Sequence, residues 1–109
     1  LPKGWPEGRE PLHQAAAREA AEEAGVIGPV EPVEIGRFYY GKLTSSGLRR
    51  RCEVHVFPLR VETLAEKWPE RKQRTRHWFA PEEAARMVDE AGLRELIGTF
   101  ATNPRKSAA

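Results

Sequence analysis

The segment GWPEGREPLHQAAAREAAEEAGV, from Gly4 to Val26, constrains this chain more than any other part of it. From Leu12 to Ala24 it is rich in Ala, Glu, Gln and Arg, all strong helix formers. Pro11 suits the first helical turn, where a missing N–H costs nothing, and Gly25 suits the left-handed position just past a helix end. The pattern predicts a helix over residues 12–24, preceded by a loop containing Gly and Pro. On such a helix Glu19 and Glu23 sit about 40° apart, and Glu22 lies about 60° to the other side of Glu19. Three carboxylates crowd one arc near the helix C-terminus.

That placement is costly. Like charges at i and i+4 repel by a few tenths of a kcal/mol, and the macrodipole disfavours anions at a helix C-terminus. A helix loaded in this way needs cations. Arg18 offsets one charge, and a bound divalent ion is the natural partner for the rest. Mg²⁺ suits the donors best, because it prefers hard oxygen ligands and is held by one or two carboxylates plus substrate phosphates. Such an ion polarises a phosphoryl oxygen and activates water. No protein nucleophile is evident: Cys52 is the only cysteine, and no Ser has an obvious His and Asp pairing.

With Gly4, Glu10, Arg18 and Gly25 in register, the segment has the form G-x5-E-x7-R-E-U-x-E-E-x-G-U, where U is apolar. It resembles the Nudix box, with no position missing. The resemblance implies a hydrolase that cleaves a pyrophosphate bond by metal-activated water, with Mg²⁺ as cofactor and Mn²⁺ able to substitute. It also implies roles for residues. Glu19 and Glu23 would ligate the metal, and Glu22 would be a ligand or the base that activates water. Arg18 would orient Glu19, and Glu10 would brace Arg18 and the preceding loop. The Gly4 to Arg9 loop, with Lys3 before it, would curl over the metal and present carbonyls. Glu70 matches a region where some family members place a further catalytic glutamate, with Glu66 as its competitor. Which glutamate activates water stays open at this stage.

The chain of 109 residues fits one domain. With 39% hydrophobic and 31% charged residues its composition is that of a globular protein rather than a disordered one. A single cysteine excludes an intramolecular disulfide and permits a reducing compartment. Without a long apolar run or a signal-peptide pattern, the expected location is the cytoplasm. A Nudix domain is expected over residues 1–102, with a frayed tail over 103–109. The family implies roughly 30 to 40 residues, with one or two core strands, before the box. Here the box starts at Gly4, so those N-terminal strands are missing and the chain reads as the remainder of a longer protein.

Beyond the box, the Gly28-Pro29-Val30-Glu31-Pro32 cluster breaks regular structure. Alternation then predicts strands over 33–40 and 51–60, joined by a loop over 41–48 as an antiparallel pair, and a shorter strand over 74–79. Pro81, Glu82 and Glu83 open a helix, and Leu93, Leu96, Ile97 and Phe100 mark a final amphipathic one. The family resemblance implies an α/β fold: an α/β/α sandwich around a mixed sheet.

Substrate is decided by the basic residues of the middle third. Lys42, Arg49, Arg50 and Arg51 can hold a polyanion, since guanidinium forks match phosphate oxygens. With Lys3-Gly4-Trp5, Tyr39-Tyr40-Gly41-Lys42, Trp68-Pro69-Glu70 and His77-Trp78-Phe79, they resemble bacterial members acting on diphosphoinositol or diadenosine polyphosphates. Lys3, Gly4, Lys42, Arg49, Arg50 and Arg51 are the expected substrate contacts. ADP-ribose or nucleoside triphosphate hydrolysis is the alternative, followed by a non-catalytic nucleotide-binding module. Trp5, Tyr39, Tyr40 and Trp68 read as core or rim before base-stacking residues, and His55 and His77 as structural. The expected partner is a small polyphosphate, with neither nucleic acid nor membrane; a homodimer is compatible with the sequence.

Overall fold

The computed structural model describes residues 1–102; the expected tail over 103–109 lies outside them. The described residues form α1 (Leu12–Ala24), β1 (Val26–Ile27), β2 (Gly36–Leu43), β3 (Arg49–Val56), β4 (Thr63–Leu64), α2 (Pro81–Met87) and α3 (Ala91–Thr102). This is an α/β fold. The described residues divide into two compact units, one made of Leu1–Glu34 with Phe57–His77, the other of Ile35–Val56 with 78–102.

The first unit is built on α1. Pro11 stands as its N-cap in extended conformation, and Gly25 closes it at φ 64°. The Gly25 N–H then bonds back to carbonyls of the last turn, the usual way a left-handed residue ends a helix. The chain next runs antiparallel to its own return segment. Val26 pairs with Leu64 and Ile27 with Thr63, and the run continues through the Val30–Leu59 bridge. The ladder is broken because Pro29, Pro32 and Pro58 bring no N–H to it. Sequence alternation misses strands this short.

The second unit rests on the β2–β3 hairpin, paired from Gly36↔Val56 to Leu43↔Arg49. Its turn is tied by Thr44, whose N–H and Oγ1 both donate to the Leu48 carbonyl, at 2.8 and 2.9 Å. Alternation gives the hairpin two faces. Phe38 and Cys52 lie on the buried one, where α3 brings Gly92 close to Phe38 and Leu96 against Gly36; Leu93 of α3 is buried as well. On the outer face Tyr39 donates to Glu53 at 2.8 Å and carries Arg51 over its ring at 4.1 Å. That hydrogen bond pushes the Tyr39 phenol up and holds Glu53 below the usual carboxylate range. The short helix α2 follows the macrodipole rule, with Pro81, Glu82 and Glu83 first and Arg86 last. Arg94 of α3 ties to it through the Ala85 and Val88 carbonyls.

Three expectations change. The strand expected over 74–79 is irregular chain, because Arg74 and Arg76 point their guanidinium groups at α1 instead of entering a ladder. The hairpin strands start and end differently: β2 runs on to Leu43 and β3 begins at Arg49, since the Thr44-centred turn is tight. Among the described residues the ladders are two antiparallel pairs, without a parallel pairing. The tight turn between β2 and β3 is too short for a parallel crossover, and β1 and β4 pair antiparallel as outgoing and returning chain.

Because Phe38 is 2% exposed at the centre of its unit, Phe38→Ala should destabilise the protein by about 3 kcal/mol. Chemical denaturation of the two proteins measures the difference.

Candidate active site

The box residues assemble around one guanidinium. Arg18 Nε donates to Glu10 Oε2 at 3.1 Å, and Nη2 donates to Glu10 Oε1 and to the Trp5 carbonyl at 3.1 and 3.0 Å. Its Nη1 reaches Glu19 Oε1 at 2.7 Å and Glu22 Oε2 at 3.4 Å. One side chain thereby binds the loop, its brace and two of the three helix acids. Glu10 is held from both sides, since its carboxylate also accepts the Glu7 N–H at 3.1 Å and its own N–H bonds the Glu7 carbonyl. The Arg18 hydrogen bonds, and after them that of Glu7, keep the Glu10 carboxyl below the usual carboxylate range. Arg18 is pushed upward in turn, chiefly by Glu10.

The backbone at Gly4 runs close over Glu19. A Cβ placed at Gly4 would collide with the Glu19 carboxyl group, so a side chain here would displace that carboxylate from its present position.

Glu23 stands apart from the other two acids. It is the one charged residue buried among the described residues, at 7% exposure. Its Oε2 accepts the Lys3 N–H at 2.7 Å and its Oε1 accepts Arg74 Nη2 at 2.9 Å. Buried carboxylates need such partners, because desolvation without them is prohibitive.

The segment after β4 caps the helix end. Sequence reasoning missed this feature. The Glu70 N–H donates to the Glu22 carbonyl at 3.2 Å, and the Trp68 indole N–H donates to that of Glu23 at 3.1 Å. Arg76 reaches the Ala24 carbonyl at 3.2 Å while lying over the Trp68 ring at 4.0 Å. The Ala65 N–H takes the Gly25 carbonyl at 2.8 Å. Carbonyls left over at a helix C-terminus are thus satisfied by one loop. A Cβ at Gly25 would meet both Trp68 and Arg76, so this glycine serves the cap as well as its positive φ. The sequence signal was the lack of any basic residue in the last turn of α1, which demands cations from elsewhere.

The sequence-predicted residues are therefore divided. Lys3, Gly4, Glu10, Arg18, Glu19, Glu22, Glu23 and Glu70 belong to the first unit and surround α1. Glu70 lies beside the last turn with its carboxylate 3.3 Å from Arg74 Nε. Glu66 is exposed. Lys42, Arg49, Arg50 and Arg51 belong to the hairpin, and its pleat separates them. Lys42 and Arg50 are cross-strand partners on the face of Phe38 and Cys52, whereas Arg49 and Arg51 lie on the face of Tyr39. Trp68 is occupied by Arg76 and by the helix carbonyl.

A hard cation fits this donor set. The candidate side-chain ligands are all carboxylates, and the Gly4 backbone passes close to the carboxylate of Glu19. Among the described residues, however, no three acidic, His or Cys side chains converge on one point. The protein's own arginines hold them: Arg18 takes Glu19 and Glu22, and Arg74 takes Glu23.

This loop, helix and Arg18 hub define a Nudix-box domain, and sequence comparison agrees. The chain belongs to the NUDIX domain family, whose model matches residues 1–100. It is 36% identical over 100 residues to Nudix hydrolase 21, chloroplastic, of Arabidopsis thaliana, covering 92% of this chain and 48% of that protein. It is 37% identical over 103 residues to Nudix hydrolase 12, mitochondrial, covering 92% and 51%, and 39% identical over 97 residues to Nudix hydrolase 18, mitochondrial, covering 89% and 53%. The chain thus spans about half the length of these relatives. Their names contradict the expected cytoplasmic location, which had rested on the lack of a long apolar run and of a signal-peptide pattern within these residues. No helix among the described residues is long and apolar enough to cross a membrane.

A pH dependence follows from Glu10. Its folded-state pKa is lowered, so on acidification the unfolded chain takes up the proton first. The stabilisation is complete above the ordinary value of 4.5 and is lost as pH falls through the lower folded value. Thermal melts of wild type and Glu10→Gln should differ at neutral pH and converge on acidification below that value.

Proposed function

We propose that this chain is the core of a Mg²⁺-dependent pyrophosphohydrolase, with Mn²⁺ able to substitute. The observation that carries the reading is the Arg18 hub, which ties Glu10 of the preceding loop to Glu19 and Glu22 of α1, with the Gly4 backbone close to Glu19. Glu19 and Glu23 are the residues to hold the ion. When bound, the ion supplies charge neutralisation at the phosphates and lowers the pKa of a water. Arg18 keeps Glu19 in one rotamer by its 2.7 Å contact. Lys3 anchors the N-terminal loop on Glu23 through its backbone N–H. Glu22 is the acid most open to solvent, its side chain 45% exposed against 15% for Glu19 and 9% for Glu23. This openness favours Glu22 Oε1 as the acceptor of a water proton. Glu70 is the second candidate, and its carboxylate is paired with Arg74.

The domain fills residues 1–102 in this reading. The substrate is a small molecule richer in phosphate than a nucleoside triphosphate, with diphosphoinositol or diadenosine polyphosphates favoured. What supports this is the number of cations the chain brings: Lys3, Lys42, Arg49, Arg50 and Arg51. ADP-ribose and nucleoside triphosphates are the competing substrates.

Glu23→Gln should lower kcat/KM by about a hundred-fold or more, since it removes a ligand rather than a supporting contact. A variant with near-normal turnover at saturating Mg²⁺ would reject the assignment. The substrate class is read from paired hairpin variants, Lys42→Ala with Arg50→Ala against Arg49→Ala with Arg51→Ala. At least one pair should raise KM for the long polyphosphates with kcat unchanged, and leave ADP-ribose hydrolysis alone. That is the signature of lost ground-state binding. Equal effects on all substrates, or none, would show these cations to be surface charge.

A further inference from the structure

Glu23 has been given two partners, the Lys3 N–H and Arg74, yet it is also one of the acids proposed to hold the divalent ion. A guanidinium and an ion on the same carboxylate oxygen bind in competition. We propose that Arg74 is a built-in counter-cation for this site. It holds Glu23 while the ion is absent, gives it up when the ion binds, and so sets how much ion the site requires. The proposal rests on the metal-dependent reading above and adds a positioning residue outside the box.

Three observations support it. The last turn of α1 has no basic residue, so the buried Glu23 carboxylate draws its cation from fifty-one residues further along the chain. The Arg74 side chain is 43% exposed, with room to leave, whereas that of Glu23 is 9% exposed and stays. The loop that carries Arg74 does not depend on this ion pair. Trp68, Glu70, Arg76 and Ala65 each bond a carbonyl of Glu22 to Gly25, so Arg74 can release without the loop leaving the helix.

The release has a consequence for Glu70. Arg74 Nη2 is on Glu23 and its Nε is on Glu70 Oε1 at 3.3 Å. One guanidinium is shared by a ligand and by a candidate base. When the ion takes Glu23, the fork is no longer held between two acids and is left to Glu70 alone. Ion binding at one end of the chain Glu23–Arg74–Glu70 is thereby coupled to the pairing of the carboxylate at the other. By linkage the coupling is reciprocal: the factor by which the Arg74 pair weakens the ion is the factor by which the ion weakens the Arg74 pair.

The test measures ion binding and stability rather than turnover. Mn²⁺ affinity is read by electron paramagnetic resonance on the full chain, and melting temperature is read with chelator, for wild type, Arg74→Ala, Arg74→Lys and Glu23→Gln. Arg74→Ala should melt lower than wild type in chelator, because Glu23 loses its cation. The same variant should bind Mn²⁺ about two- to five-fold more tightly, the range set by a part-exposed ion pair. Arg74→Lys keeps the charge without the fork and should fall between; if Arg74→Ala does not fold, tighter binding by Arg74→Lys carries the proposal. Unchanged or weaker Mn²⁺ binding in the folded Arg74 variants would overturn it and leave Arg74 a structural clamp. Glu23→Gln separates this failure from that of the underlying reading. If it binds Mn²⁺ as wild type does, Glu23 is not a ligand at all, and both fall.

Discussion

A helix that ends in three carboxylates and has no basic residue in its last turn cannot stand by itself. Its macrodipole, its like charges and its free carbonyls all call for positive or hydrogen-bonding partners at the same end. The first unit of this protein is arranged to meet that demand. Arg18 covers Glu19 and Glu22 from within the helix, Arg74 covers Glu23 from a distant loop, and Trp68 and Arg76 take the carbonyls. Electrostatic strain at one helix terminus decides where more than one stretch of chain must go.

The same strain makes the helix end useful. In the metal-dependent reading proposed above, the same carboxylates are the ones that take the ion. The Arg74 side chain is 43% exposed and that of Glu23 9%, so Arg74 is the partner of this pair with room to leave. Arg18 differs, because it bonds Glu10, the Trp5 carbonyl and two helix acids together. Among the described residues Arg74 bonds only the two carboxylates of Glu23 and Glu70. The two arginines look alike in sequence, and their different numbers of partners separate a fixed element from an exchangeable one.

The hairpin shows how the pleat edits a composition argument. Arg49-Arg50-Arg51 reads as one basic cluster on paper. On a strand successive side chains point to opposite faces, so Arg50 is parted from its neighbours and joined instead to Lys42 across the ladder. Arg51 is further engaged by Tyr39, whose hydroxyl is itself bonded to Glu53. Two smaller cationic pairs therefore replace one triad, and any substrate argument has to choose between the faces.

The box was legible from sequence because its information is local. Helix propensity, Pro11 and Gly25 set the bounds of α1 at Leu12–Ala24, and the spacing of Glu19, Glu22 and Glu23 follows from the turn of a helix. The hairpin was legible for a similar reason, since alternation and a Gly-containing turn act over a few residues. Tertiary structure alone decided the rest. The pairing of β1 with β4 joins residues nearly forty positions apart in strands of two residues, too short for alternation to register. The partner of Glu23 lies fifty-one positions away, and the segment 74–79, patterned like a strand, gave up pairing to supply it. Local preferences fix which elements can form, but a buried charge is satisfied by whichever cation the fold brings to it, and that choice is made only in three dimensions.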